Sequence, residues 1–332
     1  MNFMKRTIAI VAGGDSSEHD VSLRSAEGIL SFMDTEKYNS YVVEIQAGTW
    51  TVNYLGEVCA IDRNDFSFTA SDGRHEFDFA YITIHGTPGE NGILQGYFDL
   101  IGLPYSTSDV LVEALTFNKF ALNNYLRAYS DLHLSDSILV RKGESVPSVE
   151  AIVTRLGLPC FVKPNAGGSS FGVTKVKVAD DLYAAIDKAM IESDEVMIEK
   201  IMVGTEITCG CYKRPNGDVV TFPITEVVTT QEFFDYDAKY NGKVDEITPA
   251  RIAQETACRV SEMTRRIYRL LGCYGIIRID YILSGEKGNE QINLLEINTT
   301  PGMTATSFIP QQVRAAGLDI KDVLSEIIEG KL

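Results

Sequence analysis

Positive charge is scarce in this sequence. Its 332 residues include 30 lysines and arginines against 46 aspartates and glutamates, which gives a net charge of −16. A surface that neutralises nucleic-acid phosphates needs an excess of basic residues, so the composition argues against a nucleic-acid-binding protein. An anionic ligand would need local positive charge from a few lysines, arginines and backbone amides.

Long apolar runs are also absent. No stretch approaches the roughly 20 residues of a membrane-spanning helix, so we expect no membrane partner. The opening MNFMKRTIAIVAGG joins a basic pair to a short apolar run that leads into DSSEHD, which predicts a first strand rather than an export signal. The six cysteines form no C-x-x-C pair, which indicates reduced thiols and a cytoplasmic protein. Cys209 and Cys211 alternate within ITCGCY, and we expect them to pack in a core rather than bind metal.

Length and pattern together predict an α/β protein of three domains. Strand and helix alternate over residues 1–108, which indicates a parallel α/β unit. A long amphipathic helix over about Val110–Tyr129 then leads to short strands around a Gly-Ser loop, and residues 109–204 form the predicted second domain. Hairpins and a long helix over about Pro249–Leu271 follow, and residues 205–332 form the predicted third domain.

The last two predicted strands place polar side chains on one face. Glu296 and Asn298 in LLEIN stand at i and i+2, where the side chains of a strand project from the same face, and Arg278 and Asp280 in GIIRIDYI repeat this spacing. The short polar turn between the strands predicts antiparallel pairing and a shared face. Crowded carboxylates need a cation between them, and hard oxygen ligands favour Mg²⁺ with a phosphate as its partner. We therefore predict a magnesium site, with a solvent-facing polar stripe as the alternative.

A Gly-Ser loop, KPNAGGSSFG, supplies a second signal. Its small residues would let backbone amides approach phosphate oxygens, and Lys163 before it adds positive charge, although a plain turn has the same composition. No Walker A pattern occurs in the chain. Residues 168–172 also match the G-x-S-x-G nucleophile elbow of hydrolases, with Ser170 as nucleophile. All four histidines precede Ser170 and a strand pattern follows it, which argues against a hydrolase.

Two further segments have ligand-binding features. HGTPGENGILQG places His85 and Glu90 among glycines at the end of a predicted strand, where parallel sheets often bind ligands, although for this segment alone a tight turn with a backbone-bonded His is the better explanation. FFDYDAKY, residues 233–240, has neither a helical nor a strand period. It predicts a loop that orders over a ligand, with a solvated charged loop as the alternative.

Taken together, these motifs resemble those of the D-alanine-D-alanine ligases, members of the ATP-grasp superfamily. The resemblance covers nearly the whole chain, in order, in the segments VAGGDSSEHDVSLRSA, HGTPGENGILQG, GLPYSTS, VKPNAGGSSFGVTKV, FFDYDAKY, RIDYIL and LLEINTTPGMTATSFIP. It implies a three-domain ATP-grasp architecture with ATP held between the second and third domains. It also implies ATP-dependent ligation of two D-alanine molecules through a D-alanyl phosphate, for peptidoglycan precursor synthesis.

The resemblance implies particular residues for the nucleotide and its metal ions. Two Mg²⁺ ions, or Mn²⁺ in their place, would be held by Asp280, Glu296 and Asn298. The nucleotide would be contacted by nine residues, which are Lys119, Lys163, Gly168, Ser170, Glu199, Lys200, Met202, Glu206 and Lys239.

The resemblance also implies residues for the two amino-acid substrates. Glu18 would hold the ammonium of the first D-alanine, with Ser169 and Tyr240 completing a hydrogen-bonded set around it. Arg278 and the amide of Gly302 would stabilise an oxyanion. His85 would lie near the substrates, and Ser307 would bind the carboxylate of the second D-alanine.

Position 240 and the oligomeric state carry further expectations. Phe234 stands where tyrosine is frequent in the family, and the segment after Tyr240 is short. Tyrosine at this place accompanies dipeptide formation, whereas ligases that make the D-lactate ester lack it, so we expect the dipeptide. The family also implies a homodimer. Another carboxylate-amine ligase of the superfamily should lack EHDVS and DYDAKY, and the intact Arg278, Asp280 and Glu296 argue against a noncatalytic nucleotide-binding protein.

Overall fold

The first sheet of the structure has seven strands in the order β6-β5-β4-β3-β2-β1-β7. The computed structural model describes residues 5–168, 171–229 and 244–332. The strands of the first sheet are β1 (Arg6–Gly13), β2 (Tyr38–Gln46), β3 (Thr49–Tyr54), β4 (Glu57–Asp62), β5 (Ser67–Ala70), β6 (Gly73–His75) and β7 (Phe79–Ile82). Its helices are α1 (His19–Phe32) and α2 (Ile93–Ile101).

The centre of this sheet confirms the predicted parallel α/β unit. β1 pairs in parallel with β2 and with β7. Ile8 and Ile10 of β1 belong to one hydrophobic cluster with α1, whereas Ala9 and Val11 belong to another with α2. A strand that is buried on both faces needs a continuous apolar run, which is why TIAIVA shows no alternation.

The outer part of the first sheet is antiparallel, which the sequence did not predict. β2, β3 and β4 are joined by two-residue turns at Ala47–Gly48 and Leu55–Gly56. Both residues of each turn have positive φ, at 44° and 82° in the first and 51° and 92° in the second. Positive φ at both positions matches the right-handed twist of a hairpin. These turns convert the parallel unit into a mixed sheet.

The predicted helix over Val110–Tyr129 is wrong, because the chain forms two helices there. These are α3 (Val110–Phe117) and α4 (Lys119–Leu126). Asn118 between them has ψ of 94°, and its side-chain oxygen accepts a hydrogen bond from the Ala121 amide at 2.9 Å. The Lys119 amide instead donates to the Asn165 carbonyl at 3.1 Å. A capping side chain and a distant backbone acceptor therefore interrupt the helix.

A second, four-stranded sheet is antiparallel and has the order β11-β10-β12-β9. It follows the two-residue strand β8 (His133–Leu134) and consists of β9 (Ser137–Arg141), β10 (Cys160–Pro164), β11 (Thr174–Val176) and β12 (Glu195–Lys200). One 3₁₀ turn (Ala179–Asp181) and two helices accompany it, α5 (Val149–Leu156) and α6 (Leu182–Ala189). The strand predicted after the Gly-Ser loop is therefore present.

The third sheet has the order β16-β15-β13-β17-β18-β8, with β14 paired to β13. Its further strands are β13 (Thr205–Lys213), β14 (Val219–Thr221), β15 (Thr225–Thr229), β16 (Val244–Ile247), β17 (Ile277–Ser284) and β18 (Gln291–Asn298). The helices of this part are α7 (Gln254–Leu271), α8 (Phe308–Ala315) and α9 (Ile320–Glu329). Cys209 and Cys211 lie fully buried in its core, as predicted.

The long helix predicted from Pro249 begins five residues later, at Gln254. The Ala250 amide donates to the Ile224 carbonyl at 2.8 Å, so this stretch follows the sheet rather than entering the helix. In the parts of the chain that the structure describes, no helix is long and apolar enough to cross a membrane.

Hydrophobic clusters connect the sheets. Residues of α3 and α4, among them Val112, Leu122 and Leu126, share a core with the third sheet. Residues of β1 and α1 share another core with α8 and α9. The domain ranges 1–108, 109–204 and 205–332 stay a prediction.

Candidate active site

The two polar strands pair as predicted. β17 and β18 are antiparallel, with Arg278 opposite Asn298 and Asp280 opposite Glu296. Asn298 Nδ2 donates to Asp280 Oδ2 at 3.0 Å. The Arg278 guanidinium contacts both oxygens of Asp280 at 2.9 Å. The shared face of arginine, carboxylates and amide is therefore confirmed.

Each carboxylate of this face has a cationic partner. Lys119 Nζ lies 2.9 Å from Glu296 Oε1. Burial lowers the pKa of Lys119, but the charge of Glu296 and its hydrogen bond outweigh burial and raise that pKa above its ordinary value. Burial likewise lowers the pKa of Arg278, and the nearby Asp280 carboxylate raises it further than burial lowers it. Both cations therefore stay charged beside the two acids.

A cleft of about 450 Å³ lies between the second and third sheets. Ten residues predicted from the sequence line it, which are Lys119, Lys163, Gly168, Glu199, Lys200, Met202, Glu206, Arg278, Asp280 and Glu296. Lys163 Nζ contacts Glu199 Oε2 at 2.6 Å across the pair β10 and β12. We call this space the nucleotide cleft, because positive side chains and a Gly-rich loop suit a phosphorylated ligand.

A second cleft of about 410 Å³ adjoins the first. It is lined by five further predicted residues, which are Glu18, His85, Asn298, Gly302 and Ser307. Four of the predicted residues, Lys119, Gly168, Arg278 and Glu296, line both spaces and belong to their common wall. We call this second space the substrate cleft. Every predicted site residue that the structure describes therefore lines one cleft or both, although the roles of these residues stay predictions.

Gly168 lies at the junction of the two clefts. A Cβ atom at this position would stand 2.3 Å from Glu18 Oε2, so only glycine lets the loop approach that carboxylate without a shift. The carbonyl of Gly167 accepts a hydrogen bond from Lys119 Nζ at 2.7 Å. The loop is thus held against Lys119, the first residue of α4, and against Glu18, the residue before α1.

His85 and Ser307 both line the substrate cleft. Burial lowers the pKa of His85, Glu18 opposes this effect and Arg278 adds to it, so the ring is neutral near pH 7. Ser307 is the residue before the first turn of α8, and its Oγ accepts from the Thr304 amide at 3.1 Å. A helix N-terminus carries unsatisfied amides and favours a carboxylate.

Two glutamates at the clefts are not among the predicted site residues, and the first of them, Glu90, is half-buried and lines the substrate cleft. Glu90 accepts a hydrogen bond from the Gly86 amide at 2.6 Å, and burial together with the charge of Glu18 raises its pKa to about 7. Glu113 is fully buried and accepts from the Thr299 hydroxyl at 2.5 Å. The glycine-rich turn around Glu90 had indicated this residue in the sequence. The sequence gave no signal for Glu113, because an acid in the first turn of a helix is ordinary.

Several predicted residues lie outside the described part of the chain. They are Ser169, Ser170, Lys239 and Tyr240, and Phe234 lies there too. Within the described ranges, no three histidine, cysteine, aspartate or glutamate side chains come together as a metal site. The predicted magnesium ligands are two carboxylates and one amide, so the magnesium site also stays a prediction.

The fold and the two clefts define a class, the three-domain ATP-grasp architecture. A solved D-Ala:D-Ser ligase from Enterococcus faecalis matches with a TM-score of 0.85 and 29% identity, over 99% of this chain and 100% of that chain. A D-alanine-D-alanine ligase from Bacillus anthracis, solved in complex with ATP, matches with a TM-score of 0.75 and 28% identity, over 98% and 97% of the two chains.

Family models and a relative of high sequence identity identify the family within this class. Models of the D-ala D-ala ligase N-terminus and C-terminus match residues 7–108 and 128–329. A D-alanine--D-alanine ligase of Phocaeicola vulgatus is 64% identical over 329 residues, which are 99% of this chain and 100% of that protein. The chain belongs to the D-alanine-D-alanine ligase family. The resemblance inferred from its motifs is therefore confirmed.

Proposed function

We propose that the protein joins two D-alanine molecules into D-alanyl-D-alanine at the expense of ATP, for peptidoglycan precursor synthesis. The observation that carries this proposal is the common wall of the two clefts, which contains Lys119, Arg278 and Glu296. A phosphoryl group that passes from a nucleotide in one cleft to a carboxylate in the other is transferred beside these shared residues. Positioning and charge neutralisation at that point are what phosphoryl transfer requires.

The first step forms an acyl phosphate. The carboxylate of one D-alanine attacks the γ-phosphorus of ATP, the bond to the β-phosphate oxygen breaks, and ADP leaves. Lys119 and Lys163 supply positive charge in the nucleotide cleft. Glu18 in the substrate cleft holds the ammonium of this D-alanine, with Ser169 and Tyr240 assigned to the same set by the family motif. The relative from Bacillus anthracis that was solved with ATP supports the choice of nucleotide.

The oxygen ligands on β17 and β18 fit Mg²⁺, with Mn²⁺ as a substitute. Asp280, Glu296 and Asn298 present two carboxylates and an amide on one face, with no nitrogen or sulfur ligand among them. Divalent ions at this face supply charge neutralisation and orientation of the phosphates. Arg278 and Lys119 balance the same acids within the protein itself.

The second step forms the peptide bond. The free amine of the second D-alanine attacks the acyl carbon, phosphate leaves, and the nitrogen loses one proton. Arg278 and the Gly302 amide lie on the cleft wall where the oxyanion of the tetrahedral intermediate develops. Ser307, at the start of α8, binds the carboxylate of the second substrate. His85 is neutral, so the charged side chains next to it are those of Glu18 and Arg278.

An assay of ADP release tests the proposed reaction. Release should depend on D-alanine and not on L-alanine, and mass analysis should find D-alanyl-D-alanine. ATP binding without ADP release in the presence of D-alanine would instead favour a noncatalytic nucleotide-binding protein. ADP release with other carboxylates and amines only would favour another ligase of the superfamily.

The acceptor should be an amine rather than a hydroxy acid. This choice rests on the tyrosine at position 240, since it introduces no fixed cation that would repel an ammonium. The relative from Enterococcus faecalis is a D-Ala:D-Ser ligase, so D-serine belongs in the comparison. With D-alanine, D-serine and D-lactate in equal amounts near neutral pH, we expect mainly D-alanyl-D-alanine by mass analysis. Mainly ester product would contradict this expectation.

We also propose that the protein is a cytoplasmic homodimer. Ile93, Leu100, Val110 and Leu111 are exposed apolar side chains of α2 and α3, and Leu100 is 89% exposed. Ile93 and Leu100 share one face of α2, and the ideal Cβ of Gly96 between them lies 3.7 Å from Val110, so the side chains form one patch. Leu100→Glu should convert a dimer into a monomer in sedimentation velocity, whereas Leu55→Glu, at an equally exposed position of the β3–β4 turn, should not.

A further inference from the structure

The segment Thr299–Met303 follows the predicted metal ligand Asn298 and contains the predicted oxyanion donor Gly302. The first sheet and its helix hold one side of this segment. The Thr300 hydroxyl donates to the Ile84 carbonyl at 3.3 Å, and the Met303 amide donates to Ser25 Oγ at 3.4 Å. Its opposite side contacts a different part of the molecule.

Glu113 of α3 holds that opposite side. Its side chain is 0% exposed. Oε2 accepts from the Thr299 hydroxyl at 2.5 Å, and Oε1 accepts from the Ser108 amide at 3.0 Å. A buried carboxyl group that lost either donor would bear a large desolvation cost, so both donors are held firmly in place.

Ser108, the second residue that donates to Glu113, extends this hydrogen-bonded contact to β17. Ser108 Oγ accepts a hydrogen bond from the Tyr274 amide at 3.1 Å, three residues before β17 begins. Gly275 follows, and a Cβ there would stand 2.0 Å from the Ser106 carbonyl, so the two backbones lie in direct contact. Glu113 thus connects the start of β17 with the end of β18.

We infer that Glu113 is a positioning residue, which fixes Asn298 and Gly302 through its hydrogen bond to Thr299. The inference rests on the proposed function for its meaning in catalysis. Asn298 is adjacent to Thr299 in sequence, so a rotation of that peptide would move the Asn298 amide away from Asp280, which it contacts at 3.0 Å. Groups that orient a metal ligand without touching the metal affect affinity and rate.

A purely structural role for Glu113 is the competing explanation, and the chain offers a matched control. Thr256 of α7 donates its hydroxyl to Glu290 at 2.5 Å, and both side chains are buried. This pair shares a part of the molecule with Thr299 and Glu113. Neither Thr256 nor Glu290 lines the nucleotide cleft or the substrate cleft. Thr299→Val and Thr256→Val therefore each remove one buried Thr–Glu hydrogen bond of the same length.

The two variants should lose similar stability and differ in function. We expect comparable decreases in Tm, measured by thermal unfolding. Well below both Tm values, Thr299→Val should bind Mn²⁺ in the presence of ADP about tenfold more weakly and should lower kcat with little change in the KM for ATP. Thr256→Val should match the wild type in both measurements. Equal Mn²⁺ affinity and equal kcat in the two variants would overturn the inference.

Glu113 itself supplies a second test. In Glu113→Gln the side-chain oxygen still accepts from the Ser108 amide and the NH₂ group donates to Thr299, so Mn²⁺ binding should stay near wild type. Glu113→Leu has a similar size but no polar atom, and it should weaken Mn²⁺ binding in the presence of ADP. Equal weakening in both variants would contradict the positioning role. If Glu113→Leu does not fold, the pair Thr299→Val and Thr256→Val decides the question.

The binding measurement also separates this inference from the proposed function. Mn²⁺ binding with ADP needs neither D-alanine nor turnover. A wild-type protein that releases no ADP with D-alanine would overturn the proposed function, whereas the difference in Mn²⁺ affinity between Thr299→Val and Thr256→Val would still support or overturn the role of Glu113.

Discussion

Two pairs of acidic side chains at the clefts are stabilised in different ways. Asp280 and Glu296 contact cations, with Arg278 at 2.9 Å from the first and Lys119 at 2.9 Å from the second. Glu90 and Glu113 instead accept hydrogen bonds from backbone amides and threonine hydroxyls. Burial raises the pKa of Glu90 to about 7 and raises that of Glu113 well above its ordinary value.

The acids of the first pair can exchange their cationic partners for other charged groups. The acids of the second pair fix the backbone segments that donate hydrogen bonds to them. A carboxylate beside a lysine or arginine keeps its charge, and a metal ion or phosphate can rearrange such a pair without leaving a buried charge uncompensated. A carboxyl group held by amides and hydroxyls has no mobile partner, so it fixes the segments that donate to it. Four predictions test this comparison.

The largest expected effect follows removal of charge from the first pair. Glu296→Gln should lower D-alanine-dependent ADP formation at least about 100-fold, because the loss of one charged ligand removes several kcal/mol of stabilisation from the transferring phosphoryl group. Asp280→Asn should have an effect of the same order. Steady-state ADP release at ordinary Mg²⁺ concentrations measures both.

Glu226→Gln is the control for these two variants. Glu226 also lines the nucleotide cleft and also contacts an arginine, with its Oε1 at 2.7 Å from Arg251. The family motif assigns it no metal. Its replacement should leave most of the activity, and a loss as severe as that in Glu296→Gln would show that any acid in the cleft matters equally.

The second prediction concerns the cation rather than the acid. Lys119→Met should increase Mn²⁺ affinity roughly tenfold in the absence of nucleotide, because it removes a positive charge that competes with the metal for Glu296. Lys163→Met should not, because Lys163 pairs with Glu199, which is not a predicted ligand. Titration followed by electron paramagnetic resonance of free Mn²⁺ measures both. Equal affinities in the two variants would contradict the idea of exchangeable partners.

A smaller effect is expected at the junction of the clefts. Gly168→Ala places a methyl group 2.3 Å from Glu18 Oε2, so either the loop or the glutamate has to move. The carboxylate is the end of a flexible side chain and can turn aside, so we expect little loss of stability. The displaced Glu18 should raise the KM for the first D-alanine by roughly fivefold. Gly96→Ala is the control, since its Cβ would stand 3.7 Å from Val110 in ordinary contact. An unchanged KM in Gly168→Ala would remove the proposed role of the close approach.

Local patterns predicted the strands that carry the cation-paired acids. The i and i+2 spacing of Arg278 with Asp280 and of Glu296 with Asn298, together with the connecting turn, was sufficient to predict antiparallel pairing and a shared face, but not the shift in register between Asp280 and Tyr281. Strand alternation and turn length are both local properties, so they can be read from adjacent residues.

Long-range contacts explain two of the features that the sequence did not predict, and an atypical turn residue explains a third. Asn118 interrupts a continuous helical pattern because the next amide bonds to Asn165, which lies far along the chain. The turn at Leu55–Gly56 has positive φ at a leucine, a residue that gives no turn signal. Glu113 bonds to Thr299, 186 residues away. No periodicity within either segment records that pairing.

The last prediction uses the pH dependence of the second pair of acids. Glu90, whose pKa is about 7 in the folded protein, has a pKa near 4.5 when the chain is unfolded. Between these two values the unfolded chain loses the proton first, so the free energy of unfolding should fall as the pH rises from 4.5 to 7, by about 3 kcal/mol in total from Glu90 alone. Glu90→Gln, which cannot ionise, should lack this component, so the wild type should lose stability relative to the variant between pH 5 and pH 8. Thermal unfolding at several pH values measures this, with Glu36→Gln at an exposed position as the control. Parallel pH profiles for the wild type and Glu90→Gln would show that Glu90 is charged throughout, and that the second pair of acids resembles the first.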